Sequence, residues 1–386
     1  MPQFSLIIPT RNRLETLRVS LESALAQPDA DIEILVADNA SNDGTQAFLK
    51  SLSDPRIVGI RSEEPLSMQH NWARALEHAT GDWVTIIGDD DAFMPDFVRT
   101  AKVVARQDAE IIGWSRPNYR WPSFVAEHER NRLVFTIGSR SYWADSKKRL
   151  TEVYTTFADA FGVPSVYHHL IKRSLIERIR QTLGDYPMSI SPDMGSGLLN
   201  LAFTDRYIQL EWPLTVLGYS AKSSGAAVKY TKPGSQERAE FTTLEPELAA
   251  LQERYPMQGL FTTESATYQI LLDMRQYLSR VGLEFNPDFA SFAKWQASRV
   301  HLVHPDERAD MIDKLKALCA EFNITDIQFP TEVTTHPVGY GKQQAFFNVA
   351  TDGSGVVNGR FDFTGTPIVN VYQAACILRS LVPHIG

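Results

Sequence analysis

The strongest constraint on this chain is an alternation in its first hundred or so residues, where short apolar runs are separated by stretches of helical spacing. Leu6-Ile7-Ile8, Ile32 to Ala37, Arg56 to Ile60 and Asp82 to Ile87 read as four strands, with Glu110 to Trp114 as a fifth. Between them, Leu14, Leu17, Leu21, Ala24 and Leu25 make one apolar helix face. Trp72, Leu76 and Ala79 make another within a helix over Ser67 to Ala79. Further helices are expected over Thr45 to Leu52 and from Pro95 to about Ala105. Asn12 is placed to cap the first helix, with Glu15 three residues on as its reciprocal partner. Buried strands joined by helices of this length imply an α/β fold, a parallel sheet with right-handed crossovers.

Three of these strands end in polar clusters. They are Pro9-Thr10-Arg11-Asn12, Asp38-Asn39-Ala40-Ser41-Asn42-Asp43-Gly44-Thr45 and Gly88-Asp89-Asp90-Asp91. In a parallel sheet the carboxyl ends of all strands share one edge, so clusters remote in sequence converge there. An isolated aspartate triplet is more often a solvated acidic turn. Like charges a few ångströms apart repel and raise one another's pKa. A divalent cation such as Mg²⁺ or Mn²⁺, which prefers oxygen ligands, relieves that cost. Converging carboxylates, amides and hydroxyls therefore suggest a metal-assisted phosphate site. The chain has neither Gly-x-Gly-x-x-Gly nor Gly-x-x-x-x-Gly-Lys-Ser/Thr, which argues against dinucleotide and Walker-type binding.

Composition narrows the partners. The 386 residues are 43% hydrophobic and 22% charged, ordinary for a globular protein, and the formal net charge of −8 argues against bulk nucleic-acid binding. Cys319 and Cys376 lie far apart with no metal-ligand spacing, which suits a reducing, cytoplasmic setting. No stretch is long and apolar enough for a leader or a membrane span, so the sequons at Asn39 and Asn323 read as accidental.

The middle of the chain is less regular, with a strand over Arg132 to Ile137 and helices over 146–160, 172–182 and 194–203. A Lys-, Gly-, Pro- and Ser-rich stretch from Lys229 to Glu237 marks a boundary. Beyond it the pattern turns helical, most clearly after Pro305, where Met311, Leu315, Leu318 and Phe322 form a core stripe. Gly339 to Gly365 shows no assignable pattern.

Taken in order, Ser5-Leu6-Ile7-Ile8-Pro9-Thr10-Arg11-Asn12-Arg13, Val36 to Thr45, and Asn71 with Ala79-Thr80-Gly81-Asp82-Trp83 before the acidic run resemble the A-type (GT-A) glycosyltransferases of the large, mostly inverting family two. The resemblance is strong over about residues 1–115 and thins towards 225. It implies a Rossmann-like, mixed but mainly parallel sheet with flanking helices. Residues 1–228 would form the glycosyltransferase domain, with a nucleotide-sugar half (about 1–115) and an acceptor half (about 116–228). Residues 238–386 would form a mostly helical region shaping the acceptor site or a dimer contact.

The resemblance also implies a UDP-, GDP- or dTDP-linked sugar donor. Its binding residues would be Pro9, Thr10, Arg11, Arg13, Asp38, Asn39, Asn71, Asp89 and Asp90, with Lys222 reaching in from a mobile loop. Mn²⁺ or Mg²⁺ would sit on Asp90 and Asp91. Gly88 stands where many relatives carry a further carboxylate, and Asn39 replaces the second acid of the family's usual Asp-Asp pair. Asp193, in Ser191-Pro192-Asp193-Met194-Gly195, fits the family's base, which takes the proton of the attacking acceptor hydroxyl; its other reading is a helix cap. The implied acceptor is a glycan or lipid-linked sugar, with no nucleic acid, and with room for a homodimer and for peripheral membrane association.

Two rivals stand beside this reading. One is a non-catalytic nucleotide- or glycan-binding module of the same fold. The other is a nucleotidyltransferase, which would carry a Gly-rich basic turn that Pro9-Thr10-Arg11 does not supply. His168-His169 lacks further ligands for a metal site, and Gln296 to Val300 matches a synthase-type Gln-x-x-Arg pattern only by chance. Trp114, Trp121 and Trp143 are candidates for stacking on an acceptor sugar or for the core.

Overall fold

A computed structural model describes residues 2–157, 159–223, 239, 242–260, 262–329, 346–351 and 355–382. The expected boundary at Lys229 to Glu237 lies outside the described residues. The chain opens with β1 (Phe4–Thr10), α1 (Leu14–Leu25), β2 (Ile32–Asp38), α2 (Thr45–Lys50), β3 (Ile57–Arg61), α3 (Met68–His78) and β4 (Trp83–Ile86). β1 pairs in parallel with β2 and β4, and β3 extends the sheet beyond β2. The apolar runs are continuous because the strands are buried on both faces. Phe4, Leu6 and Ile8 enter one core, and Ile7 enters the other together with Leu35 and Ile86.

The first helix is capped differently from the sequence expectation. Asn12 takes a left-handed φ of 52°, and its Oδ1 accepts the Asn42 N–H (2.8 Å). The α1 N-cap residue is Arg13, and the Leu14 N–H donates to Asp43 Oδ2 (2.8 Å). The loop after β2 therefore caps the helix after β1, which locks two of the three polar clusters together.

The chain continues through β5 (Ala92–Phe93), α4 (Phe97–Val104), β6 (Ile111–Trp114), β7 (Asn118–Arg120), β8 (Arg132–Ile137), β9 (Ser141–Asp145) and α5 (Ser146–Thr156). Next come β10 (Leu170–Lys172), α6 (Arg173–Leu183), α7 (Pro192–Ala202), β11 (Arg206–Leu210) and β12 (Thr215–Tyr219). Four helices follow: α8 (Pro246–Gln252), α9 (Thr263–Ser279), α10 (Phe289–Ser298) and α11 (Pro305–Glu321). A hairpin, β13 (Phe346–Thr351) and β14 (Val357–Asp362), precedes α12 (Val371–Arg379).

Eight strands form one sheet in the order β3-β2-β1-β4-β10-β6-β11-β9. It is mixed and mainly parallel; β10 runs antiparallel to both its neighbours, and edge strand β9 runs antiparallel to β11. A second, six-stranded sheet has the order β13-β14-β8-β7-β12-β5. Helices α9 to α11 bury Tyr268, Met274, Phe289, Phe292 and Leu315 in the core that also holds Leu150 of α5 and Leu198 of α7.

Residues 238–386 are not helical throughout. β14 pairs with β8 from Val357↔Ile137 to Asp362↔Arg132, and α12 places Val371, Ala374, Ala375 and Leu378 in the core shared with α1. A buried ion pair, Arg132 Nε to Asp362 (2.9 Å), fixes that return. Among the described residues no helix is long and apolar enough to cross a membrane.

Candidate functional site

The carboxyl ends of β1, β2 and β4 meet on one rim. Thr10 lies opposite Asp38 in the β1–β2 ladder, and its hydroxyl donates to Asp89 Oδ2 (2.7 Å) in the turn after β4. Arg13 donates to Asp89 Oδ1 at 3.0 Å. Arg11 reaches the Asn39 carbonyl at 2.7 Å, and Pro9 sits beside Ala37 in the same ladder. Clusters some eighty residues apart are thus within hydrogen-bond reach.

The three aspartates are buried and differ sharply in their partners. Asp91 has four donors. The Gly88 N–H (2.5 Å), the Tyr167 hydroxyl (2.7 Å) and His168 Nε2 (2.8 Å) reach Oδ2, and the Gly218 N–H (2.6 Å) reaches Oδ1. Asp90 Oδ2 accepts from Ser220 N–H (3.2 Å) and from the hydroxyls of Ser220 (2.7 Å) and Ser223 (2.5 Å). Among the described residues nothing donates to Asp90 Oδ1.

Burial, joined by the charge of Asp91, pushes the Asp90 carboxyl up to about 6. Burial also raises Asp89 against the pull of Arg13. Burial opposes the ionisation of Asp91 as well, but His168, the Gly218 N–H and the Tyr167 hydroxyl outweigh it and hold its carboxyl below the usual range. Gly88 follows from this packing. A Cβ there would lie 2.8 Å from Asp91 Oδ2 and 3.1 Å from Asp90 Oδ1, so a side chain would displace the carboxylates.

These partners decide what the turn can offer a cation. Asp91, expected to ligate metal beside Asp90, has both oxygens committed to hydrogen bonds, so in this arrangement it is an anchor. No group of three or more His, Cys, Asp or Glu side chains that could hold a metal occurs among the described residues. Mg²⁺-type sites, however, often take one or two carboxylates and complete their shell with water and substrate phosphate. The buried Asp90 with its uncommitted Oδ1, which a cation would hold in the ionised form, fits such a substrate-borne cation.

On the β2 side, Asp38 Oδ1 accepts the Ser41 N–H (3.0 Å) and Oδ2 pairs with Arg61. Asn39 bonds Leu66 from both ends of its amide, Nδ2 to the carbonyl and Oδ1 from the N–H, each at 2.8 Å. A carboxylate could not donate the first of these bonds, which accounts for Asn at this position. Asn71 is likewise occupied, its Nδ2 donating to the Ala37 carbonyl (3.2 Å) and its Oδ1 accepting from Arg74 (2.7 Å). Both amides, expected to line a donor pocket, have their side chains engaged with protein partners.

Lys222 follows β12 and donates from Nζ to the Asn12 carbonyl (3.0 Å), while Arg13 donates to the Lys222 carbonyl. Beside this latch lies a cavity of about 520 Å³ lined in part by Arg13, Thr16, Arg18, Ser123, Ser220 and Lys222.

Asp193 is the second residue of α7, behind Pro192. Its Oδ1 accepts from the Ser191 hydroxyl (2.5 Å), and no described backbone N–H donates to it, so it is not acting as a helix cap. The segment 165–169 joins α7 to the rim. Val166 N–H donates to Ser196 Oγ (3.3 Å), and Ile86 N–H donates to the Val166 carbonyl (2.7 Å).

Several residues here carried no sequence signal. His168, Tyr167, Gly218, Ser220 and Ser223 act on the acidic turn, yet only the His168-His169 pair drew attention, and as a non-site. Trp114 and Trp121 are buried, their indoles donating to Thr215 Oγ1 (2.7 Å) and the Asp90 carbonyl (2.9 Å), so neither can stack on a sugar. Trp143 is exposed on β9 with Arg206 over its ring. Gln296 is fully buried in the helical region, where it accepts from Thr262 (2.7 Å).

Comparison with known proteins finds similarity over the part of the chain that carries the rim. Residues 5–179 match the family described as Glycosyl transferase family 2. The GalNAc(5)-diNAcBac-PP-undecaprenol beta-1,3-glucosyltransferase of Campylobacter jejuni is 32% identical over 117 residues, 29% of this chain and 38% of that protein. The succinoglycan biosynthesis protein ExoO of Rhizobium meliloti is 28% identical over 109 residues, 28% of this chain and 31% of that protein. The chain thus spans about a third of the length of these curated relatives. A crystal structure of S. aureus TarS 1-349 in complex with UDP shares 16% identity, with a TM-score of 0.46 over 86% of this chain and 97% of that one. Over residues 5–179, somewhat less than half of its length, the chain is similar to glycosyl transferase family 2.

Proposed function

We propose that this protein is an inverting glycosyltransferase that moves a sugar from a nucleotide-diphosphate donor to a hydroxyl of a glycan or lipid-linked acceptor. The observation that carries the reading is the meeting of Thr10, Arg13 and Asp89 at the end of β1 and β4, next to Asp38 and Asp90. Asp38 and Arg61 would face the base, and Asp89, fixed by Thr10 and Arg13, the ribose. Arg13 and Lys222 would meet the diphosphate, whose growing negative charge is the largest electrostatic demand of the transfer. A divalent cation held by Asp90 Oδ1 and the diphosphate would supply the remaining positive charge. Asp193, half-buried and with the Ser191 hydroxyl as the one partner of its carboxylate among the described residues, would take the acceptor proton as the hydroxyl attacks the anomeric carbon.

A thermal-shift screen of UDP, GDP and dTDP with and without Mn²⁺ tests the donor site, because a ligand of the folded state raises the melting temperature by mass action. One nucleotide should stabilise the protein, and more so with Mn²⁺. Asp193→Asn should abolish transfer while leaving that shift intact. No shift with any of the three would reject the donor site, and normal turnover by Asp193→Asn would reject the base.

A further inference from the structure

His168 is fully buried, takes a left-handed φ of 57° and stands between two partners. Its Nε2 faces Asp91 Oδ2 at 2.8 Å and its Nδ1 faces Thr215 Oγ1 at 2.7 Å. A left-handed backbone is costly for a residue with a side chain and persists where surrounding bonds over-determine it.

The direction of the proton chain follows from donor chemistry. An indole N–H can only donate, and Trp114 Nε1 donates to Thr215 Oγ1 at 2.7 Å. The threonine hydroxyl proton is then directed at its other neighbour, His168 Nδ1. That leaves Nε2 as the protonated nitrogen, donating to Asp91. The reverse assignment would strand the Thr215 hydroxyl proton in a fully buried place without an acceptor, a costly arrangement.

We infer that His168 is a positioning residue for the acidic turn: fixed as the Nε2–H tautomer by Trp114 and Thr215, it holds Asp91 so that Asp90 Oδ1 is the carboxylate oxygen presented to the donor diphosphate and its cation. The inference rests on the donor-site reading above. Asp91 is the knot that joins three segments, because its four donors come from the turn itself (Gly88), from 165–169 (Tyr167 and His168) and from β12 (Gly218). Gly218 is two residues before Ser220, which orients Asp90. Loosening Asp91 therefore frees both the turn and the strand that steers its neighbour. His168 is fully buried and its ring nitrogens face Asp91 and Thr215, so it acts through Asp91.

The test uses the full chain and four variants, with titration calorimetry of UDP, GDP and dTDP in the presence of Mn²⁺. His168→Leu removes the donor to Asp91, and the manganese-linked affinity of the preferred nucleotide should fall about 10- to 100-fold, as when a partner behind a metal ligand is removed. His168→Gln, which can place its amide N–H towards Asp91, should recover most of that loss. Thr215→Val breaks the tautomer lock with little change in volume and should weaken binding in the same direction, while Thr215→Ser should restore it. Nitrogen-15 NMR of the imidazoles, with the His168 signal identified by its loss in His168→Gln, should show a protonated Nε2 and a bare Nδ1.

Wild-type-like manganese-linked binding by both His168→Leu and Thr215→Val would overturn the inference, and so would a protonated Nδ1. Should His168→Leu fail to fold, the threonine pair and the spectrum still decide. Absence of nucleotide binding by the wild-type protein would instead reject the donor site, and this inference with it.

Discussion

Asp90→Asn separates the cost of the acidic turn from its use. Burial and Asp91 raise the Asp90 carboxyl from 3.8 to about 6, and one pKa unit corresponds to about 1.4 kcal/mol. The ionised side chain should therefore destabilise the ligand-free fold by about 3 kcal/mol at pH 8. Because the folded-state value is raised, the stabilising contribution is complete below about pH 4 and disappears as pH climbs through about 6. Asparagine fits the site. Its carbonyl can take the three donors from Ser220 and Ser223 at the position of Oδ2, and its NH₂ falls at Oδ1, where no described donor competes.

Unfolding entropy of roughly 2 cal/mol/K per residue gives roughly 0.8 kcal/mol/K for a cooperative chain of this length, so about 3 kcal/mol is worth about 4 °C. Calorimetry or dye-monitored melting at pH 8 should show Asp90→Asn more stable than wild type by about that amount. The gap should narrow to about 1 kcal/mol at pH 4.5, and Mn²⁺ should no longer add to nucleotide stabilisation of the variant. A variant less stable than wild type at pH 8, or a gap that ignores pH, would refute the argument.

Other perturbations follow from the same packing. Gly218→Ala would set a Cβ 1.7 Å from the Asp90 carbonyl oxygen, so it should cost at least the 3 kcal/mol or so at the upper end of overpacking and be read as a collapsed denaturation midpoint. Glu245 is buried with a carboxyl raised to about 7, chiefly by burial, and accepts the Met68 N–H (2.7 Å). Its contribution fades as pH rises through 7, so Glu245→Gln should raise the melting temperature at pH 8.5 and much less near pH 4.5. A chain cut before Phe346 would lose β14 from the edge of β8 and uncover the α1 face buried by α12. It should be recovered as aggregate, and a soluble, nucleotide-binding fragment would contradict the packing described above.

Much of the N-terminal part of the fold was legible in the sequence because it rests on local pattern. β1, β2 and β4 are buried on both faces and so read as unbroken apolar runs, and the rule that strand ends share an edge brought Thr10, Asp38 and Asp89–Asp91 together. What distinguishes Asp90 from Asp91 was not legible. Their deciding partners lie 77, 127 and 130 residues downstream, at His168, Gly218 and Ser220. The same holds for Asn12 and Asp43, both sound capping residues locally, where only the approach of two loops selects the second. The hairpin β13–β14 escaped because a Gly-rich run becomes a strand only when β8 offers its edge, more than two hundred residues earlier in the chain.

That late strand sets a timetable. The β8 edge is made long before β14 exists, and at roughly 5–20 residues per second the ribosome needs on the order of 10–45 s to synthesise the missing partner. Through that interval the nascent chain exposes an open sheet edge and the bare flank of α1, a hazard for misassociation until synthesis reaches α12. Slower translation of the last third should therefore lengthen the exposure and lower the yield of folded protein.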